Sequence, residues 1–325
     1  MRAIVIKQYG GPEVLAIEER PDPRPQPGHV VIEVKAFGLN HAEIYFRKGA
    51  WGQVAEISGI ECVGTVKSDP DGQFAPGRKV MALVGGLGRG INGSYAEQVS
   101  VPRSNVVAVD TELPWEELAA IPESYATAWT SLVGILGLAK GEVVAIRGAT
   151  SALGQAAINI ATALGAHVIA TTRNSSRATL LRSLGAKEVL IESQELAKPV
   201  RTVHSRGIDA VLDIVGNTTV LDSVAMLRRG GHACLVGFLG GGDALTLQPV
   251  FQIPSGTHLS VFASALVTGT PEFPLEEIPF QQIVARVADG TYKAKPAKVF
   301  GFEEIQSAHR LMESSEAGGK IVVRL

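Results

Sequence analysis

The sequence predicts an α/β plus β fold in two domains, on three observations. The chain has 325 residues, the length of two ordinary domains. Residues 1–110 carry short apolar runs at strand spacing, separated by Pro and Gly. From about Gly141 onward, strand-like and helix-like patterns alternate. Strands apolar throughout their length suit a parallel sheet covered on both faces.

In chain order, strands are expected in RAIVI from Arg2, HVVIEVKAFGL from His29, ECVGTVKS from Glu61, RKVMALVG from Arg78, YAEQVSVP from Tyr95 and NVVAVD from Asn105. The proline-rich ERPDPRPQPGH between the first two reads as an extended surface loop. Residues 113–141 have Pro114 in a first turn, Glu116 and Glu117 behind it, and a 3.6-residue pattern running to Gly141, which predicts one long helix. Then come a strand EVVAIRG, a helix SALGQAAINIATALG ending at Gly165, a strand HVIATT and a helix SSRATLLRSLG ending at Gly185. EVLI, GIDAVLDIVG, the helix-like VLDSVAMLRRGG and HACLVGF continue the alternation. HLSVFASAL reads as a further strand, PFQQIVARVADG as a helix, and the last 29 residues as strand, helix, strand.

A hydrophobic fraction of 46% against 19% charged residues describes a soluble globular protein with ample core. The formal net charge of −2 gives no electrostatic footprint for nucleic acid or an acidic membrane. Cys62 and Cys234 are too few for a disulfide framework or a four-thiolate zinc site, so reduced thiols in a cytoplasmic setting are expected. The N-terminus alternates like a strand and lacks an apolar signal region, and no apolar run approaches the ~18 residues of a membrane span.

The stretch VAIRGATSALGQAA, from Val144, sits where a dinucleotide fingerprint G-x-G-x-x-G belongs, but its three places hold Ala149, Ser151 and Gly154. Only the glycine that lets helix pack on strand survives. Phosphate can still dock at the helix N-terminus, and the Ser151 hydroxyl is a candidate donor to it. An NAD site wants an acid about 20 residues on, for the ribose 2′-hydroxyl. ATTRNSSR has none, and instead offers Arg173 and Arg177 at the end of the strand that closes with Thr172. A guanidinium there suits a 2′-phosphate, so the expected cofactor is NADPH rather than NADH.

The whole chain resembles the medium-chain dehydrogenase/reductase superfamily, and within it the zinc-free quinone oxidoreductase (zeta-crystallin-like) branch. The resemblance rests on the order and spacing of AFGLNHAEIYFRKG, ISGIECVGTV, PGRKVMALV, GSYAEQVSVP, ATAW, GATSALGQAAINIA, LGAKEVL, GIDAVLDIVG, GGHACLVG and GKIVV. It implies a GroES-like β-barrel catalytic domain, residues 1–117 completed by 265–325, around an inserted Rossmann doubly wound parallel sheet, residues 118–264. It also implies a homodimer joined through edge strands, here LSVFASAL. Where the family's alcohol dehydrogenases carry a zinc-ligating Cys and the His of a G-H-E motif, this chain has Asn40 and Ile60, and the four-cysteine lobe is absent. A catalytic zinc needs three protein ligands, so no metal is expected.

Hydride addition to a quinone or an activated enone spreads charge over a conjugated system, so the resemblance implies a metal-free reductase of such small molecules. By matching position, Asn40 and Thr127 stand beside the nicotinamide, and Tyr45 lines the pocket as a candidate oxyanion donor; these are the expected catalytic groups. Thr150, Ser151, Ala152 and Leu153, with Gly154, would meet the pyrophosphate. Gly216, Val236 and Gly237 would line the cofactor from later strand ends, and Phe262 and Ala263 would close the nicotinamide side. Two departures stand out. Glu192 replaces a Tyr near the adenosine phosphate and would repel a 2′-phosphate if it pointed inward. His41, after Asn40, is expected as a solvent-facing loop residue. The competing readings are a non-catalytic NADPH binder and a zinc alcohol dehydrogenase.

Overall fold

Apolar residues between Pro- and Gly-rich breaks form seven strands before residue 110. They are β1 (Arg2–Ile6), β2 (Leu15–Glu19), β3 (His29–Gly38), β4 (Glu61–Ser68), β5 (Lys79–Leu83), β6 (Gln98–Pro102) and β7 (Val106–Ala108). Six more follow: β8 (Val143–Arg147), β9 (His167–Thr172), β10 (Glu188–Ile191), β11 (Ile208–Asp213), β12 (Leu227–Leu235) and β13 (His258–Val261). The chain closes with β14 (Lys298–Gly301) and β15 (Ile321–Arg324). The computed structural model describes all 325 residues. They fall into two units: Met1–Ala126 with Ser264–Leu325, and Thr127–Ala263.

In the first unit β1 and β2 form an antiparallel hairpin, and seven strands form a sheet, six of them in the order β14-β15-β3-β4-β5-β7 and the seventh, β6, paired with β3. The ten-residue β3 organises it. One edge of β3 pairs with β4, while its other edge pairs with β6 over His29–Glu33 and with β15 over Ala36–Gly38. The last strand of the chain is thereby built into the N-terminal sheet. The core beneath includes Val30, Ile32, Val34 and Phe37 of β3, with Ile305, Ala308 and Met312 from the helix Ile305–Ser314. Phe37 stacks on Tyr95 at 4.6 Å. Full burial of each such side chain contributes about 1.5–3 kcal/mol.

The second unit holds six strands in the order β10-β9-β8-β11-β12-β13, every pair parallel. That is the doubly wound order whose topological switch lies between β8 and β11. Ile169, Val200, Val211 and Val224 belong to its core.

Four expectations are corrected. Residues 113–141 form three pieces: helices Trp115–Leu118 and Pro122–Trp129 and a π-helical stretch Thr130–Ile135. Pro122 has no N–H and would clash with a preceding turn, so it ends one helix and opens the next. VLDSVAMLRRGG is helical only over Val220–Ala225, because β12 begins at Leu227 and runs through the two glycines. HLSVFASAL is a strand only to Val261, with a short helix Ser264–Val267 after it. A helix His41–Arg47 stands where no helix was read. Two of its four buried side chains, Glu43 and Arg47, are charged, so no apolar 3.6-residue pattern marks it.

Candidate active site

In the second unit, strand register builds the candidate cofactor edge. Asp213 of β11 lies beside Arg147 of β8 and beside Leu235 of β12, and Leu235 lies beside Val261 of β13. On the other side, Ala170 of β9 pairs with Ile146. The strands therefore all end on one row, and the residues just beyond it share that carboxyl edge: Thr150 to Gly154, Arg173, Gly216, Val236, Gly237, Phe262 and Ala263. Thr172, the last residue of β9, is buried, as is Phe262. Ligands of open α/β sheets bind along this edge.

Gly148 makes the turn after β8 with φ +77°. A Cβ on Gly154 would lie 2.6 Å from Ala149 Cα, so this is the glycine that brings the helix Ala152–Ala163 against the strand. Ser151 is the N-cap of that helix. Its hydroxyl accepts from the Gly154 N–H at 3.1 Å and donates to the Gly148 carbonyl at 2.8 Å. This corrects the expectation of a phosphate-donating hydroxyl, because Ser151 spends its hydrogen on its own turn. The N–H groups of Ala152 and Leu153, which have no partner one turn back within the helix, are what the helix end presents to an anion.

Arg173 is exposed and takes part in no salt bridge, and Arg177 is partly exposed in the turn Ser175–Arg177. Glu192 does point inward, yet its charge is compensated. Its carboxylate pairs with the guanidinium of Arg147 and accepts from the Thr171 hydroxyl at 2.6 Å. Arg147 is fully buried at the end of β8; it also reaches Asp222 at 2.8 Å and the Ser193 carbonyl at 2.6 Å. Beside it, the buried Asp213 accepts from the N–H groups of Val215 and Gly216 and from the hydroxyls of Thr219 and Ser223. Burial nevertheless raises the Asp213 carboxyl above its ordinary range. Sequence reading missed this ionic cluster, since a lone Arg closing an apolar strand gives no periodic signal.

In the first unit, antiparallel pairing gathers a second cluster. The C-terminal end of β3 lies beside the starts of β4 and β15, which brings together Asn40, Glu61 and Lys320. The Lys320 ammonium, almost fully buried, contacts Glu61 and donates to Asn40 Oδ1 at 2.7 Å. Asn40 Nδ2 donates to Glu61 at 2.8 Å, and the Glu123 N–H donates to the other oxygen of Glu61 at 2.8 Å. A Cβ on Gly38 would lie 2.4 Å from Lys320 Cε and 2.5 Å from Glu61 Oε1, so only glycine leaves room for this pair.

Asn40 is also the N-cap of His41–Arg47, and Glu43 reaches back to its N–H while accepting from the Ile60 N–H at 3.1 Å. The pattern Asn-x-x-Glu is a capping-box signal that could have revealed this helix. Glu43 is wholly buried, and burial pushes its carboxyl up to about 8. His41 is corrected from a loop residue to a partly buried first residue of the helix, its pKa lowered by burial and by Lys320.

Tyr45, on the same helix, stacks on Trp51 at 5.3 Å and 22°, and partial burial raises its hydroxyl pKa. Cys62 lies in the apolar core, its thiol pushed up by burial. Thr127, in the helix Pro122–Trp129, is buried at the start of the second unit, where its carbonyl accepts from the Ser131 hydroxyl at 2.7 Å.

Comparison with known proteins gives two family matches. Residues 26–111 match the alcohol dehydrogenase GroES-like domain, and residues 152–280 match the zinc-binding dehydrogenase family. The quinone oxidoreductase of Lama guanicoe is 28% identical over all of this chain and 98% of its own length. The solved structure of an NAD-dependent alcohol dehydrogenase is 30% identical with a TM-score of 0.82, each chain covered completely. A mycobacterial protein solved in complex with NADPH is 26% identical with a TM-score of 0.88, again with both chains covered completely.

Proposed function

The chain belongs to the medium-chain dehydrogenase/reductase superfamily, and from that premise we propose that it is an NADPH-dependent oxidoreductase acting on quinones or α,β-unsaturated carbonyl compounds. The observation that carries the cofactor assignment is the end of β9, where an exposed, unpaired Arg173 stands and the one nearby acid, Glu192, is held by Arg147. A 2′-phosphate meets the exposed guanidinium of Arg173 there. The helix end at Ala152 and Leu153 suits the pyrophosphate, while Gly216, Val236, Gly237, Phe262 and Ala263 follow along the same edge. The NADPH complex of the mycobacterial relative and the quinone oxidoreductase relatives support the same reading. When bound, the reduced nicotinamide supplies a hydride.

The chain's own part is to orient and to donate hydrogen bonds. With its pKa raised, the Tyr45 hydroxyl stays protonated at neutral pH, as a donor to a developing oxyanion must be. Trp51 fixes the plane of its ring. Asn40, by contrast, has its amide engaged by Lys320 and Glu61, so its role is to hold the turn in which the helix starts.

A catalytic zinc does not fit this donor set. Ile60 offers no ligand atom, the Cys62 thiol is buried in the core with its ionisation suppressed, and an ammonium already sits against Glu61. Three nitrogen, sulfur or oxygen ligands converging on one point are what zinc requires. The unpaired edge of β13, with Val261 63% exposed, supports a homodimer joined through that strand.

NADPH oxidation measured against a panel of quinones, enones, enals and simple aldehydes tests the activity. Turnover of quinones or enones is expected. Tight NADPH binding with no turnover leaves a binding protein, and zinc-dependent turnover of aldehydes alone makes it an alcohol dehydrogenase. Arg173→Ala is expected to weaken NADPH at least about tenfold, the loss of one charge-assisted contact, and to leave NADH unchanged. Equal weakening of both coenzymes removes the 2′-phosphate assignment. Tyr45→Phe is expected to lower kcat while the Kd for NADPH holds; unchanged kcat removes Tyr45 from the chemistry.

A further inference from the structure

At the opposite, amino edge of the parallel sheet, three potential ligands converge that the hydride chemistry does not use. His167 opens β9 and Glu188 opens β10. Glu188 pairs in register with Ile169, two residues beyond His167, so both side chains project from the same face of the sheet. Val200, from the helix Ala197–Val203, packs in one core with Ile169, so that helix covers this face. His204 follows it directly as its C-cap. His167 Nε2 lies 2.6 Å and His204 Nε2 3.3 Å from the same oxygen, Glu188 Oε1, and the three ligand atoms lie within 4.8 Å of one another. The imidazole rings meet edge to face at 6.0 Å.

We propose that His167, Glu188 and His204 form a binding site for one divalent first-row transition ion, of which Zn2+ is the best match. Two imidazoles and a carboxylate are ligands suited to Zn2+, and bonds of ~2.0–2.2 Å in a tetrahedron put neighbouring ligand atoms ~3.3–3.5 Å apart. The present separations lie on both sides of that value, so side-chain adjustment alone would seat the ion. No Lys or Arg pairs with Glu188; its only ionic partners are the two imidazoles. Side-chain exposures of 40%, 30% and 19% for His167, Glu188 and His204 leave an entry path and room for a water as the fourth ligand. The ion would tie together three elements, β9, β10 and the helix Ala197–Val203, on the edge away from Arg173 and Ser151. Its role is therefore structural support of the nucleotide-binding sheet, independent of turnover.

The test uses the full-length protein, freed of metal by chelator. Calorimetric titration with Zn2+ and visible absorption with Co2+ are run on wild type, His204→Gln and Glu188→Gln, each first checked for a native melting transition without metal. One ion per chain is expected, with tetrahedral Co2+ bands, a metal-dependent rise in Tm, and affinity at least tenfold lower in both variants. NADPH binding is expected to be the same in all three proteins. No binding below millimolar Zn2+ overturns the site and leaves a hydrogen-bonded His-Glu-His cluster. Binding of unchanged affinity in His204→Gln also overturns it, by placing the ion elsewhere. If Glu188→Gln fails to fold, His204→Gln and the wild-type titration decide alone. Failure of the NADPH assays leaves this result untouched, since the Zn2+ titration, the Co2+ bands and the rise in Tm do not depend on them.

Discussion

In the first unit a lysine holds acids in the interior, and in the second an arginine does. Lys320 brings one ammonium to a pocket that contains both Glu61 and Glu43. Arg147 brings a planar fork to Glu192 and Asp222, and its remaining N–H groups reach the Thr219 and Ser193 carbonyls. Asp222 is further fixed by the N–H groups of Leu196 and Ala197. The arginine is a permanent charge with many directed donors, so the cation of this cluster keeps its charge at every ordinary pH. The lysine is a compact charge shared between unequal acids, and the acid it serves less directly, Glu43, keeps its proton near neutrality. One cluster is therefore a rivet at the carboxyl edge of the sheet, while the other responds to pH.

The strongest way to break the comparison is Arg147→Met, which leaves two nearly buried carboxylates without their cation. A loss of about 3–5 kcal/mol is expected in urea unfolding, and Glu192→Gln in the same chain should restore part of it. A loss below about 1 kcal/mol would mean that the cluster is not a rivet. Lys320→Met comes next, with about 3 kcal/mol expected from the stranded Glu61. The smaller value reflects its fewer directed contacts, and a larger loss than in Arg147→Met inverts the argument.

The smallest effect sharpens the contrast most. The Glu43 carboxyl is pushed up to about 8 from its ordinary 4.5. Between those values the folded chain keeps a proton that the unfolded chain releases, so stability falls as pH rises through the window. His309 acts with the opposite sign: burial pushes it down to about 3 from its ordinary 6.5, and stability rises with pH between those values. The two slopes oppose one another from 4.5 to 6.5. Above that range the Glu43 slope stands alone up to about 8, at ~1.4 kcal/mol per pH unit. Glu43→Gln is expected to flatten the decline in urea midpoint across that upper window. An identical decline in the variant assigns it to another group.

Much of the fold was legible because apolar period and punctuation are local. Period-two runs between Pro and Gly gave the N-terminal strands, and the alternation after Gly141 gave the parallel sheet. The helix missed outright has a polar inner face, since His41–Arg47 buries Glu43 and Arg47. The first half of β12 was misread because Arg228, the exposed Arg229 and two glycines stand there in place of an apolar run. At the candidate site, the absence of an acid after HVIATT and the presence of Arg173 could be read directly. That Ser151 satisfies its own turn, and that Glu192 is neutralised by Arg147, could not.

The sequence alone determined the class of most segments, the carboxyl edge on which candidate cofactor residues fall, and the absence of zinc-ligand types at Asn40 and Ile60. Tertiary structure decided which charges meet. Arg147 and Glu192, or Asn40, Glu61 and Lys320, are tens to hundreds of residues apart in sequence, and only strand register brings them within bonding distance. An ionic contact is a property of distance, and distance between remote residues is set by pairing and packing, not by local pattern.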